Sequence, residues 1–198
     1  MRRSPDATDL ARVAVFAALI AVLGLPGSFP VFGGVPITAQ TLGVMLAGAI
    51  LGPALGALSV TVLLALVAVG LPLLAGGRGG IAVFFGPTAG YALGWILGAA
   101  VIGWVVHARG RRPVVWRTAL AMVAGGIVAI YALGIPVQSL VTRLPLGETA
   151  LASLVFVPGD LLKAALATVV VTALVRAYPR GFRREWDAPV DAVAVVRA

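Results

Sequence analysis

No cysteine occurs in the 198 residues, and histidine occurs once, as His107. Disulfides, thiol nucleophiles and cysteine metal sites are therefore excluded, and so is any multi-histidine metal centre. Lysine also occurs once, at Lys163, among 15 basic residues. Acidic residues number seven, and charged residues of both signs make up only 11% of the chain. With a single lysine preceded by leucine, no Gly-Lys-Ser/Thr phosphate loop exists, so the chain carries no nucleotide-hydrolysing motif of that kind.

What is present is apolar. Hydrophobic residues make up 61% of the chain and the mean hydropathy is +1.07. No ordinary soluble domain has this composition, and the apolar runs are long enough to cross a bilayer. The net charge of +8 does not point to nucleic acid. The arginines fall in short blocks between apolar runs, with no interleaved aromatics, as membrane topology requires.

Breaks at glycine and proline divide 10–178 into six predicted transmembrane helices, an all-α membrane domain. A short polar N-terminus, 1–9, precedes it and a basic tail, 179–198, follows. The first helix runs over Ala11–Leu25; a cleaved secretory signal is the alternative for this run. The others run over Thr38–Leu51, Ala54–Leu71, Pro87–His107, Val114–Leu133 and Pro158–Tyr178, with Val137–Ala150 read as a loop. Basic blocks lie at the N-terminus, at 109–117 and beyond Arg176. Cytoplasmic loops carry such an excess. Four helices between the first two blocks and two before the third put every block, and both termini, on the inner side of the cytoplasmic membrane. Fusing the second and third helices across Gly52-Pro53 would put the 109–117 loop outside, so they are kept apart.

On this topology three features meet at the outer face. One is the Pro- and Gly-rich stretch 25–36, with Phe29 and Phe32. Another is Leu71–Gly80, whose glycine backbone and Arg78 could hold an anion. The third is Pro158-Gly159-Asp160-Leu161-Leu162-Lys163. Asp160 sits in a first helical turn, and Lys163 lies on the same face. A charge at the centre of a membrane helix costs about 2.5–3.5 kcal/mol, so this pair is either a self-satisfied ion pair or a binding site. Gln40, Thr41 and Tyr91 are further candidates. Gly86, Gly90, Gly94 and Gly98 form a smooth stripe for close helix packing, and the pairs Ala14/Ala18 and Ala17/Ala21 do the same on the first helix. Those alanines fit packing within the chain or against a partner. His107 reads as interfacial.

The segments Val35-Pro36-Ile37-Thr38-Ala39-Gln40-Thr41, Leu51-Gly52-Pro53, Gly70-Leu71-Pro72 through Gly79-Gly80, Gly86-Pro87-Thr88-Ala89-Gly90-Tyr91 and Pro158 through Lys163 resemble, in order and spacing, the BioY family. These are the biotin-binding S components of energy-coupling-factor (ECF) transporters. The resemblance covers about 11–178. Ala89 stands where the family has glycine, and Leu73-Leu74 where Val-Phe is usual.

The resemblance implies a six-helix S component that takes biotin from the outer face. It implies a transmembrane coupling protein and two cytoplasmic ABC-type ATPases as partners, with ATP used by those subunits only and no cofactor bound covalently. It makes Ala14, Ala18, Ala17 and Ala21 coupling-protein contacts and the Phe29–Pro36 loop a lid gated by Phe29 and Phe32. Asp160 would accept from the ureido N–H groups. Lys163 would neutralise the biotin carboxylate or steady Asp160, with Arg78 as a second carboxylate clamp and Gln40, Thr41 and Tyr91 lining the site. Competing functions are an S component for another vitamin, a membrane enzyme and a structural or assembly protein. One Asp and one Lys offer little to a membrane enzyme.

Overall fold

The structure is a computed structural model that describes residues 6–25, 35–108 and 113–178. The predicted gating residues Phe29 and Phe32 lie outside the described residues.

Helix α1 spans Ala7–Val22 and starts earlier than the apolar run suggests. Asp6 and Asp9 cap it reciprocally: the Asp6 carboxylate accepts from Asp9 N at 2.9 Å, and Asp6 N donates to Asp9 Oδ2 at 3.3 Å. Such a box satisfies backbone donors that no intrahelical carbonyl can reach.

Helix α2 spans Gln40–Ala68 but is interrupted at Gly52, whose φ of 81° and ψ of −179° are non-helical. Only glycine adopts this conformation without cost, and Pro53 is well suited to begin the next helical arm. The interruption reverses the chain. Gly56 packs on Ala47 and Gly48, and Gln40 bonds to Leu73 and Ala75. A straight helix of this length would separate its ends by about 43 Å. The two arms therefore lie side by side.

A 3-10 turn, Ile81–Phe85, leads into α3, Ala89–Val106. The glycine stripe of α3 is used within the chain: Gly94 packs on Ile130, and Gly98 on Gly125 and Ile130. The next apolar segment is longer than expected. Helix α4 (Val115–Val123), a π-helical turn (Ala124–Ala129) and α5 (Ile130–Thr142) run on without a break, and Pro136 lies inside α5. The expected loop at Val137–Ala150 is thus helical to Thr142 and helical again in α6, Leu146–Ser153. Packing outweighs the Gly134-Ile135-Pro136 signal, because Gly134 lets the Tyr91 ring lie close against α5. A 3-10 turn, Leu154–Phe156, joins α6 to α7, Val157–Ala177.

Four helical stretches among the described residues are long and apolar enough to cross a membrane: Gln40–Ala68, Ala89–Val106, Val115–Thr142 and Leu146–Ala177. Two buried clusters hold the bundle. One, with Ile20, Val44, Leu63, Tyr91 and Trp95, lies toward the end of the bundle where Gln40 and Asp160 sit. The other, with Met45, Ile102, Met122 and Val171, lies toward the opposite end. At that opposite end the His107 ring bonds to Ala49 O at 2.9 Å, and Arg117 donates to Val106 O at 2.9 Å. On α7, Ala164, Ala167, Val171 and Val175 are buried, while Leu162, Leu166 and Val169 face outward. That outward face suits lipid, whose acyl chains are as apolar as the side chains.

Candidate binding site

The first arm of α2, α3, α5 and α7 converge on a cleft with Asp160 and Lys163 in its wall. Asp160 is in the first turn of α7, as expected, and it is buried. Lys163 Nζ lies 2.8 Å from Asp160 Oδ1 and donates to Thr41 Oγ1 at 3.0 Å. Thr41 donates in turn to Asp160 Oδ1 at 3.4 Å. The second carboxylate oxygen, Oδ2, accepts from the Tyr131 hydroxyl at 2.6 Å. A buried carboxylate is tolerated here because these neighbours are donors or a cation.

Gln40 and Tyr91 line the cleft but spend their polar atoms elsewhere. Gln40, almost wholly buried, donates to Ile20 O at 3.2 Å and Leu73 O at 3.0 Å and accepts from Ala75 N at 2.9 Å. It ties the end of α1 and the 73–75 loop to the start of α2. Tyr91 presents its ring. Its hydroxyl donates to Gln138 Oε1 at 2.8 Å and lies 3.0 Å from Ser153 Oγ. Tyr131 and Phe156 meet the Tyr91 ring edge-on, at 6.0 and 6.4 Å between centroids, and Trp95 completes an aromatic wall. Edge-to-face contacts of this kind favour a rigid wall.

Arg78 reaches the cleft from the glycine-rich loop. Its Nε donates to Ala75 O at 3.3 Å and its Nη1 to Thr88 Oγ1 at 3.4 Å. Both acceptors are neutral, and among the described residues Arg78 has no ion-pair partner. Burial lowers its pKa from the ordinary value, yet arginine stays charged at neutral pH. The free interior of the cleft is about 70 Å³, room for a few waters. No group of three or more His, Asp or Glu that could hold a metal occurs among the described residues.

All six residues expected to bind substrate thus line one cleft. Tyr131, which lines the cleft, and Gln138 and Ser153, which hold the Tyr91 hydroxyl, were not singled out in the sequence. Tyr131 had a legible signal, since a phenol in an apolar span needs a hydrogen-bond partner. Gln138 was hidden by the loop assigned to 137–150, and Ser153 by the lack of any helix assigned between that loop and Pro158. On α1 the alanines divide: Ala14 and Ala18 are exposed, whereas Ala17 is buried and Ala21 packs against the core.

The family model described as "BioY family" matches residues 1–180. The chain belongs to the BioY family. It is 45% identical to the biotin transporter BioY of Rhizobium etli over 177 residues, covering 86% of this chain and 95% of that one. It is 47% identical to the probable biotin transporter BioY of Bacillus subtilis over 170 residues, covering 85% and 91%. Its fold matches the crystal structure of an S-component for biotin from an ECF-type ABC transporter, with a TM-score of 0.83 and 32% identity over 94% of this chain and 99% of that one. Ala11–Tyr178, the extent of the sequence resemblance, falls within the residues that the BioY family model matches.

Proposed function

We propose that the chain is the biotin-binding S component of an ECF-type transporter in the cytoplasmic membrane, working in biotin uptake and not as an enzyme. It crosses six times with both termini inside. The reversal at Gly52 supports this count: α1, the two arms of α2, α3, the α4–α5 run and α7 alternate between the cleft end and the opposite end. Arg117 and Arg176 both lie at the opposite end, in keeping with a cytoplasmic face there.

The observation that carries the reading is the set of unspent groups in the cleft. Lys163 has three N–H donors, and two are used, on Asp160 and Thr41. Among the described residues Asp160 Oδ2 accepts from Tyr131 alone and has one further acceptor position. A donor and an acceptor therefore stand side by side. In the five-membered ureido ring of biotin each N–H lies beside the carbonyl, and the two N–H bonds diverge. One carboxylate takes one of them, so Asp160 accepts a single ureido N–H while Lys163 donates to the ureido oxygen. The aromatic wall packs on the apolar rings. The charges of Asp160, Lys163 and Arg78 sum to +1, and the valerate carboxylate neutralises the excess at Arg78. The same excess disfavours a cationic vitamin such as thiamine.

Energy comes from partners: a transmembrane coupling protein, held by the exposed Ala14 and Ala18, and two ABC-type ATPases. Calorimetric titration of the detergent-purified chain with biotin, thiamine and riboflavin tests the proposal. Selective one-to-one biotin binding is expected. Asp160→Asn removes a charge-assisted acceptor worth about 1.5–3 kcal/mol, so biotin affinity should fall roughly 10- to 150-fold. An unchanged affinity, or equal binding of all three vitamins, would overturn the assignment.

A further inference from the structure

We infer that Tyr131 is a positioning residue that sets which ligand edge Asp160 can read. The inference rests on the biotin reading above. Asp160 offers two oxygens with about two acceptor positions each. Oδ1 is filled by Lys163 and Thr41, and Oδ2 is half filled by the Tyr131 hydroxyl at 2.6 Å. One acceptor position remains. Tyr131 therefore leaves Oδ2, which could accept from two donors, able to accept from one.

The phenol is not free to turn aside. Its ring stands edge-on to Tyr91, with an interplanar angle of 80°. Tyr91 is itself fixed by Gln138 and Ser153. Ser153 in turn donates to Thr149 O at 2.8 Å within α6. A continuous set of contacts thus runs from α6 through α3 and α5 to the carboxylate on α7. The Tyr131 bond to Oδ2, with the Lys163 and Thr41 bonds to Oδ1, fixes the rotation of the Asp160 carboxylate about its Cβ–Cγ bond.

The consequence is selectivity. A cyclic urea edge presents one N–H beside one carbonyl and matches one acceptor beside one donor. A guanidinium edge presents parallel N–H groups and no acceptor. It would demand a second open position on Asp160 and would put its charge against Lys163. Tyr131, by filling that second position, works against the guanidinium edge.

The test compares biotin with 2-iminobiotin, in which a protonated guanidinium replaces the urea at neutral pH. Both are titrated into the wild-type chain and Tyr131→Phe, with thermal unfolding as a check on folding. The phenylalanine keeps the ring contact with Tyr91 and loses only the hydroxyl. Biotin affinity is expected to fall about tenfold, because the carboxylate is no longer held in one orientation before the ligand arrives. Affinity for 2-iminobiotin is expected to hold or rise, so that the biotin-to-iminobiotin ratio falls at least tenfold. A purely structural role for Tyr131 would weaken both ligands by the same factor, and that result, an unchanged biotin affinity, or a variant that does not bind 2-iminobiotin measurably, overturns the inference. Failure of the wild-type chain to bind biotin would instead overturn the functional reading beneath it.

Discussion

Gly56 packs directly on Gly48: a β-carbon on Gly56 would stand 2.8 Å from the Gly48 α-carbon. Residues eight apart in one helix cannot touch, so this contact exists only because the chain reverses at Gly52. The reversal brings the start of α2, with Gln40 and Thr41, to the same end of the bundle as the 73–88 segment that carries Arg78.

Gly56→Val should therefore open the hairpin. Overpacking typically costs about 1–3 kcal/mol, and here the obstructing atoms are backbone, which cannot swing away. Thermal unfolding in detergent should show a clearly lowered midpoint. Gly147→Ala is the matched control, because a β-carbon there meets nothing within 4 Å. Its midpoint should be unchanged or slightly raised. Equal midpoints for the two variants would contradict the hairpin.

Gln40→Leu keeps the side-chain volume and deletes three bonds to backbone. The carbonyls of Ile20 and Leu73 and the N–H of Ala75 then lose a buried partner. Each such loss costs about 1–3 kcal/mol. The loop bearing Leu74 and Arg78 should loosen, so biotin binding should weaken at least tenfold although the Asp160–Lys163 pair is untouched. Calorimetric titration read beside thermal unfolding checks both halves. Retained affinity and stability together would show that Gln40 does not hold the loop.

The exposed alanines of α1 should separate binding from coupling. Ala14→Leu with Ala18→Leu changes only outward positions, so biotin binding and the unfolding midpoint should stay as in the wild type. Co-purification with the coupling protein and ATPases, and uptake in cells, should be lost. Ala17→Leu crowds the core instead and should lower the midpoint by the equivalent of about 1–3 kcal/mol. A double variant that still co-purifies with its partners would place the coupling contact elsewhere.

Much of the site was legible along the chain because its parts are local. Asp160 and Lys163 share a helical face by spacing alone, and a charge pair in an apolar run marks either a self-satisfied ion pair or a site. Arg78 stood out as the one charge in a glycine-rich loop. Gly52-Pro53 marked a break. Composition excluded metal centres built on cysteine or several histidines, and the arginine blocks suggested an inner face.

Only the tertiary structure decided what those residues do with their polar atoms. Whether Gln40 lines a cleft or ties a loop depends on where Ile20, Leu73 and Ala75 lie, and no local spacing encodes that. Tyr131 meets Asp160 from 29 residues away, through the packing of α5 on α3 at Gly94 and Gly98. The Gly134-Ile135-Pro136 signal is a local preference of a few kcal/mol at most, and contacts made across the bundle outweigh it. Residue types and short-range spacing determined the membrane class and the charged pair; long-range packing decided which lone pairs and protons remain open to a ligand.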